Sequence, residues 1–257
     1  MGLAILLSII LAILVGPFLS PYHADTPVVT SENRCRAPSA EHWFGTDKYG
    51  RDVLTRVLVG GRLSLGLGLG VIFIAMTVGS LYGAAAGYAG GILDFILMRV
   101  LDVLLSFPLI FLAITCMALF GGGIFYLDFV LGLTSWMDIA RLVRAEVHSL
   151  KNRSMTIRAK ASGLAESRIV MKHLLPNTFP TLIAILVIRL ADIILIESSL
   201  SFIGLGVQPP QASWGAMIND GRMAFLPSWW VSLFPALAIF IVTSSLNMIG
   251  RGLKPGN

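Results

Sequence analysis

The sequence predicts an all-α polytopic membrane protein of about six transmembrane helices, with a basic helical loop on the cytoplasmic side. Three observations predict it. Hydrophobic residues make up 56% of the chain and charged residues only 13%, where a soluble domain would carry ~25% charge. Mean hydropathy is +0.82, and the apolar residues gather into membrane-length runs separated by short polar connections. The third is residues 141–176, RLVRAEVHSLKNRSMTIRAKASGLAESRIVMKHLLP. This stretch holds eight of the nineteen Lys and Arg residues, against only Glu146 and Glu166. A strongly basic loop between spans stays in the cytoplasm.

The first apolar run is Leu3 to Leu19, about as long as the shortest spanning helices. A signal peptide is the alternative. The run lacks a basic n-region and a small-x-small cleavage site before Asp25, so it is read as span one. Residues 20–62 are polar. Within them Val53, Leu54, Val57 and Leu58 share one helical face, and Asp52 and Arg56 make an i,i+4 pair. That pattern predicts an amphipathic helix at the bilayer surface.

Span two is expected from Leu63 to Tyr88. Gly79, Gly83, Gly87 and Gly91 recur every four residues, with Gly66 and Gly70 at the same spacing, a stripe that lets helix backbones approach closely in lipid. Span three runs from Ile96 to Phe120, with Arg99 and Asp102 near its start, Pro108 inside and Gly121-Gly122-Gly123 closing it. Span four covers Ile124 to Ala140 and leads into the basic loop. Span five covers Phe179 to Ile203. The 204–230 connection is too rich in Gly, Pro and Trp for a plain helix, and its tryptophans suit a membrane interface. Span six is Val231 to Ile249, followed by Arg251 and Lys254.

The chain therefore divides at 62/63, into a first span with an external segment (1–62) and five further helices with the loop (63–257). With the basic loop inside, counting places both termini in the cytoplasm and the 20–62 and 204–230 segments outside.

Several function classes drop out. None of the five lysines follows a glycine, so no phosphate-cradling loop exists. No H-E-x-x-H, G-x-S-x-G or C-x-x-C occurs, and His23, His42, His148 and His173 are too scattered for metal-ligand spacing. Cys35 lies in a polar loop and Cys116 in a span, so neither a disulfide nor a metal site is expected. The net charge of +5 clusters at membrane edges and is no nucleic-acid footprint. The residues point to no enzyme, no metal and no cofactor.

Arg189, Asp192 and Glu197 are charged residues inside span five. Buried charge in lipid must face protein or water, so they either line a translocation path or form a structural ion pair. Asp102 and Asp128, nearer span ends, are expected to meet interfacial water.

Four stretches resemble permease subunits of binding-protein-dependent ATP-binding-cassette importers of the dipeptide, oligopeptide and nickel family. They are HWFGTDKYGRDVLTRVLVGGRLSL, LMRVLDVLLSFPLIFLAI, ARLVRAEVHSLKNRSMTIRAKASG and SSLSFIGLGVQPPQASWG, in the family's order from His42 onward. In the family's loop pattern, E-A-A, three residues, Gly, nine residues, I-x-L-P, the matching positions are Ala159, Gly163, Leu175 and Pro176. Ile157 stands where the glutamate would be, Arg158 replaces the first alanine and His173 the isoleucine. Ahead of span one the chain is shorter than such permeases usually are.

The resemblance implies a permease in the bacterial cytoplasmic (inner) membrane. It would work with a homologous second permease, two ATPase domains and an extracytoplasmic substrate-binding protein. The substrate is a di- or oligopeptide, with nickel as the alternative; a secondary transporter or channel would need no ATPase. The ATPase-coupling residues it implies are Ala159, Gly163, Leu164, Ala165, Glu166, Leu175 and Pro176. Gly163 should sit at the bend between two short helices, with Pro176 ending the second.

Overall fold

The computed structural model describes residues 2–27, 33–120, 123–222 and 228–253. Gly121, Gly122, Lys254 and part of the 204–230 connection, all used in the sequence reading, lie outside the described residues. The elements are helical: α1 (Gly2–Leu19), α2 (Val53–Ala89), α3 (Gly91–Leu105), α4 (Leu109–Phe120), α5 (Ile124–Lys151), α6 (Ser154–Ala161), α7 (Glu166–Ile169), α8 (Leu175–Ile203), α9 (Trp214–Arg222) and α10 (Trp230–Leu253). Among the described residues the only β pairing is an isolated bridge between Thr46 and Asp52.

Four helical stretches are long and apolar enough to cross a membrane, and five if α3 and α4 are one span bent by 78°. The sixth expected span is the first part of α5, whose charges depress its hydropathy. Those charges pair with other helices: Arg144 meets Asp94, Arg141 meets Asp102 and Asp138 meets Arg189. Pairing lowers the cost of keeping a charged helix in a bilayer.

The glycine stripe packs α2 against α5. A Cβ at Gly79 would lie 2.7 Å from the Trp136 carbonyl and one at Gly87 2.6 Å from that of Arg144, with Gly83 against the Ala140 carbonyl between them. Only hydrogen fits there. The stripe stops at both ends, because a Cβ at Gly66 or Gly91 would meet nothing within 4 Å.

Several expectations are corrected. The amphipathic stretch does not lie as a separate helix on the bilayer surface. It forms the first turns of the 37-residue α2, so the 62/63 boundary falls inside a helix. At 1.5 Å per residue α2 is about 55 Å long and outreaches a ~30 Å hydrocarbon core. Asp52 caps it by accepting from the Thr55 amide at 2.8 Å, and Val53, Arg56 and Val57 are buried in the protein. Span three breaks at Ser106–Pro108, where proline has no N–H to continue the ladder and restricts the residue before it. Trp214 and Trp230 are not interfacial. Both are buried, their indoles donating to the Val57 carbonyl at 2.9 Å and the Thr46 carbonyl at 3.1 Å. They fasten the connection between α8 and α10 to α2 and to the segment that precedes it.

Pro176 does not end the loop's second helix. Residues 166–203 run on through a π-helical segment, Val170–Leu174, in which the Leu175 amide donates to the Val170 carbonyl five residues back. The wider turn absorbs the proline's missing donor. In α1, Pro17 likewise leaves the Ile13 carbonyl without its usual intrahelical donor. Arg62 of α2 supplies one, its Nε donating to that oxygen at 2.9 Å.

Candidate functional site

The loop after α5 is built on one glycine. α6 ends at Ala161 with Ser162 as its cap, Gly163 takes φ +75°, the Gly163 amide donates to the Lys160 carbonyl at 3.0 Å and the Leu164 amide to that of Ala159 at 3.3 Å. That pair of bonds is a Schellman ending, with a left-handed residue just past the cap. Leu164 and Ala159 pack together in the cluster that also holds Val143, Val147, Leu150, Ile169, Leu174 and Leu182. Thr156 donates its hydroxyl to the Leu150 carbonyl at 2.8 Å, tying α6 to the end of α5. The two short helices are thus seated on one end of the bundle.

The implied coupling residues divide by face. Ala159 is buried and Leu164 and Leu175 are partly buried, so they hold the loop down, whereas Gly163, Ala165, Glu166 and Pro176 point outward. Around the outward group lie exposed Arg158, Arg168 and Lys172, with Ile157 57% and Met171 55% exposed. The outward face is basic with apolar patches, suited to a groove lined by acidic and apolar side chains. Lys172 is one of the loop's basic residues counted in the sequence, whereas the exposed Met171 was not singled out because the expected helix gave no register across the π segment.

Within the spans the structure brings Arg189 and Asp192 together but not Glu197. Arg189 meets Asp138 of α5 at 2.9 Å and Asp192 more loosely at 3.6 Å, and all three side chains are between 41% and 47% exposed. A cavity of about 30 Å³ adjoins them, walled also by Ile72, Ala75 and Ser135. Asp138 was not singled out in the sequence; an unpaired basic residue in a neighbouring span was the signal for it. Glu197 is fully buried, accepting from Ser201 at 2.8 Å and Ser198 at 3.3 Å, with Ser64 and Ser213 beside it. Asp102, expected at water, pairs with Arg141 at 2.7 Å. Asp128 packs against Gly70 with its Oδ1 enclosed.

At the opposite end of the bundle the stretch GTDKYGRD folds into a tight loop. Asp47 accepts from the Tyr49 and Arg51 amides at 2.8 and 3.0 Å and from the Arg51 guanidinium at 2.7 Å. Lys48 and Arg51 reach Asp220 on α9 at 3.0 and 3.4 Å. Burial pulls the Lys48 ammonium down, but the hydrogen bond and charge of Asp220 outweigh it and leave its pKa above the ordinary value. This network locks the segment between α1 and α2 onto the connection between α8 and α10.

Comparison with known proteins agrees with this architecture. Residues 79–256 match the family described as "Binding-protein-dependent transport system inner membrane component". The chain is 41% identical to the dipeptide transport system permease protein DppC of Bacillus subtilis over 254 residues, 98% of this chain and 79% of that one. It is 38% identical to the oligopeptide transport system permease protein OppC of Haemophilus influenzae, covering 98% and 81%. It is also 38% identical to the glutathione transport system permease protein GsiD of Escherichia coli O157:H7, covering 99% and 84%. Among solved structures, a chain of the inward-facing MetNI methionine ABC transporter superposes with a TM-score of 0.59 at 17% identity, over 78% of this chain and 97% of that one. That likeness speaks for the fold alone. A bundle of membrane-length helices with a glycine-ended loop at one end, matched along nearly its full length, belongs to the inner-membrane components of binding-protein-dependent transport systems: the chain is a permease subunit of an ABC importer.

Proposed function

We propose that this permease carries di- or oligopeptides inward as one half of an ATP-driven pathway. A homologous second permease completes the path, two ATP-binding-cassette ATPase domains drive it, and an extracytoplasmic binding protein delivers the substrate. Both termini lie in the cytoplasm. The chain itself hydrolyses nothing.

The observation that carries this reading is the loop of residues 151–176. Its inner side is packed onto α5 and α8, while its outer side is left basic and open. Closure of the ATPase pair pushes on this face. The push enters α8 along the continuous 166–203 helix, which ends at Gly204 beside the outer connection. Helices transmit displacement because their hydrogen-bonded backbones are stiff along the axis. Half-exposed Asp138, Arg189 and Asp192 cannot face lipid, so their side of α5 and α8 meets the second permease and a water-filled path.

The test is uptake into proteoliposomes by the assembled transporter with its binding protein. Labelled di- and tripeptides should enter only with ATP, and the permease alone should show no ATPase activity. ATP-dependent nickel uptake without peptide uptake would move the chain to the nickel branch of the family. Peptide uptake with no ATPase subunit present would place it among secondary transporters.

A further inference from the structure

The ends of α2 and α5 meet the coupling loop at one side chain. Tyr88 stands in the last turn of α2. The ammonium of Lys151, at the end of α5, lies 5.2 Å from the centre of its ring, and that of Lys160, on α6, lies 5.0 Å away. Both are within the ~6 Å reach of a cation–π contact. Lys151 also donates to the Tyr88 backbone carbonyl, one of the acceptors that a helix end leaves open. The Tyr88 hydroxyl is enclosed and has no hydrogen-bond partner among the described residues. Buried tyrosines ordinarily pair that group. In Tyr88 the ring makes the contacts and the hydroxyl makes none.

The loop has two exits into the membrane. Its second arm runs unbroken into α8. Its first arm, α6, is joined to the α2–α5 pair by the Thr156–Leu150 bond, by Ala159 and by Lys160 on Tyr88. α2 and α5 touch backbone to backbone along Gly79, Gly83 and Gly87, a close contact through which displacement of one helix is passed to the other. A device that gates a path between α5 and α8 has to displace both sides in step.

We propose that Tyr88 is a positioning residue for coupling: its ring holds α6 against the α2–α5 pair, so that a push on the loop moves that pair together with α8. Without the ring contact the push reaches α8 and α2–α5 lags. ATP is then hydrolysed with less substrate moved. The proposal rests on reading residues 151–176 as the ATPase-coupling loop.

The experiment measures peptide transported per ATP hydrolysed by the complete transporter in liposomes, with the binding protein present. Removing a contact of this kind should lower the ratio about threefold in Tyr88→Leu, with ATPase recovery unchanged. Lys160→Gln, at an exposed position that does not endanger folding, should lower it similarly. Tyr88→Phe keeps the ring, removes only an unpartnered hydroxyl and should retain the wild-type ratio. Unchanged ratios in both Tyr88→Leu and Lys160→Gln would overturn the proposal. So would a Tyr88→Phe defect as large as that of Tyr88→Leu, which would assign the effect to the hydroxyl. Parallel loss of ATPase recovery and uptake in Tyr88→Leu and Lys160→Gln would make the contact structural and also overturn it. Failure of the wild-type permease to recover any ATPase would strike the coupling reading itself, a result separable from all of these.

Discussion

At residue 163 the chain turns with φ +75°, a region that costs an L side chain ~1 kcal/mol or more and glycine nothing. A Cβ there would meet nothing within 4 Å, so the strain within this chain comes from the backbone angle and not from a clash. That separates two causes for a loss of function. Gly163→Asn, whose side chain tolerates the left-handed region, should keep the turn and lose function only if the ATPase needs the space. Gly163→Asp should insert into the membrane normally, since the site lies outside the bilayer, yet abolish uptake and weaken recovery of the ATPase. Normal uptake and recovery in Gly163→Asp would make this an ordinary loop glycine. The bend was legible in the sequence because glycine between two polar helical segments has few other uses. Buried Glu197 was not legible as distinct from Arg189 and Asp192: spacing along one helix says nothing about which neighbours close over each side chain. Only the serines gathered around Glu197 show that it is enclosed within this chain.

At the scale of elements, the α2–α5 contact makes the sharpest distinction. Six glycines at four-residue spacing looked alike in the sequence, but the structure gives them different work. Gly83 lies against the Ala140 backbone carbonyl, which cannot move aside, whereas a Cβ at Gly66 would enter open space. Gly83→Leu should therefore push α2 from α5 and lose folded permease, read as the monodisperse fraction after detergent extraction. Gly66→Leu should stay within about 0.5 kcal/mol of wild type. Equal yields for the two would show that the α2–α5 approach is not what holds the bundle. The same helices mark where sequence reasoning stopped. Periodicity found most of the spans but put the start of α2 too late, because Asp52, Arg56 and Arg62 look like surface residues until their partners are known. Those partners are distant in sequence: the Thr55 cap is local, but Arg56 donates to the Ala24 carbonyl at 2.8 Å and Arg62 to carbonyls of α1. Pro176 misled for the opposite reason, since a π turn can carry a proline that an α-helix would not.

For the whole molecule, the orientation rests on charge asymmetry, and the structure supplies better reporters than the sequence did. Residues 33–52 join α9 through Lys48 and Arg51 on Asp220 and the start of α10 through Trp230 on Thr46, so this segment and the connection that runs into α9 must lie on one side of the membrane. The loop of 151–176 sits at the other end of α5 and α8. A single charge count therefore fixes every segment at once, and an error in it would invert the whole chain rather than one helix. Ser213 is fully buried and would report poorly, whereas Ser39, Gln211 and Ser154 are exposed. With Cys35 and Cys116 replaced by serine, cysteines at Ser39 and Gln211 should react with a membrane-impermeant maleimide in intact cells. A cysteine at Ser154 should react only after permeabilisation. Labelling of Ser154→Cys from outside, with Ser39→Cys and Gln211→Cys protected, would put the basic loop where no cytoplasmic ATPase could reach it. It would remove the orientation and the coupling reading together, because ATP-driven closure can act only on a face that meets the cytoplasm.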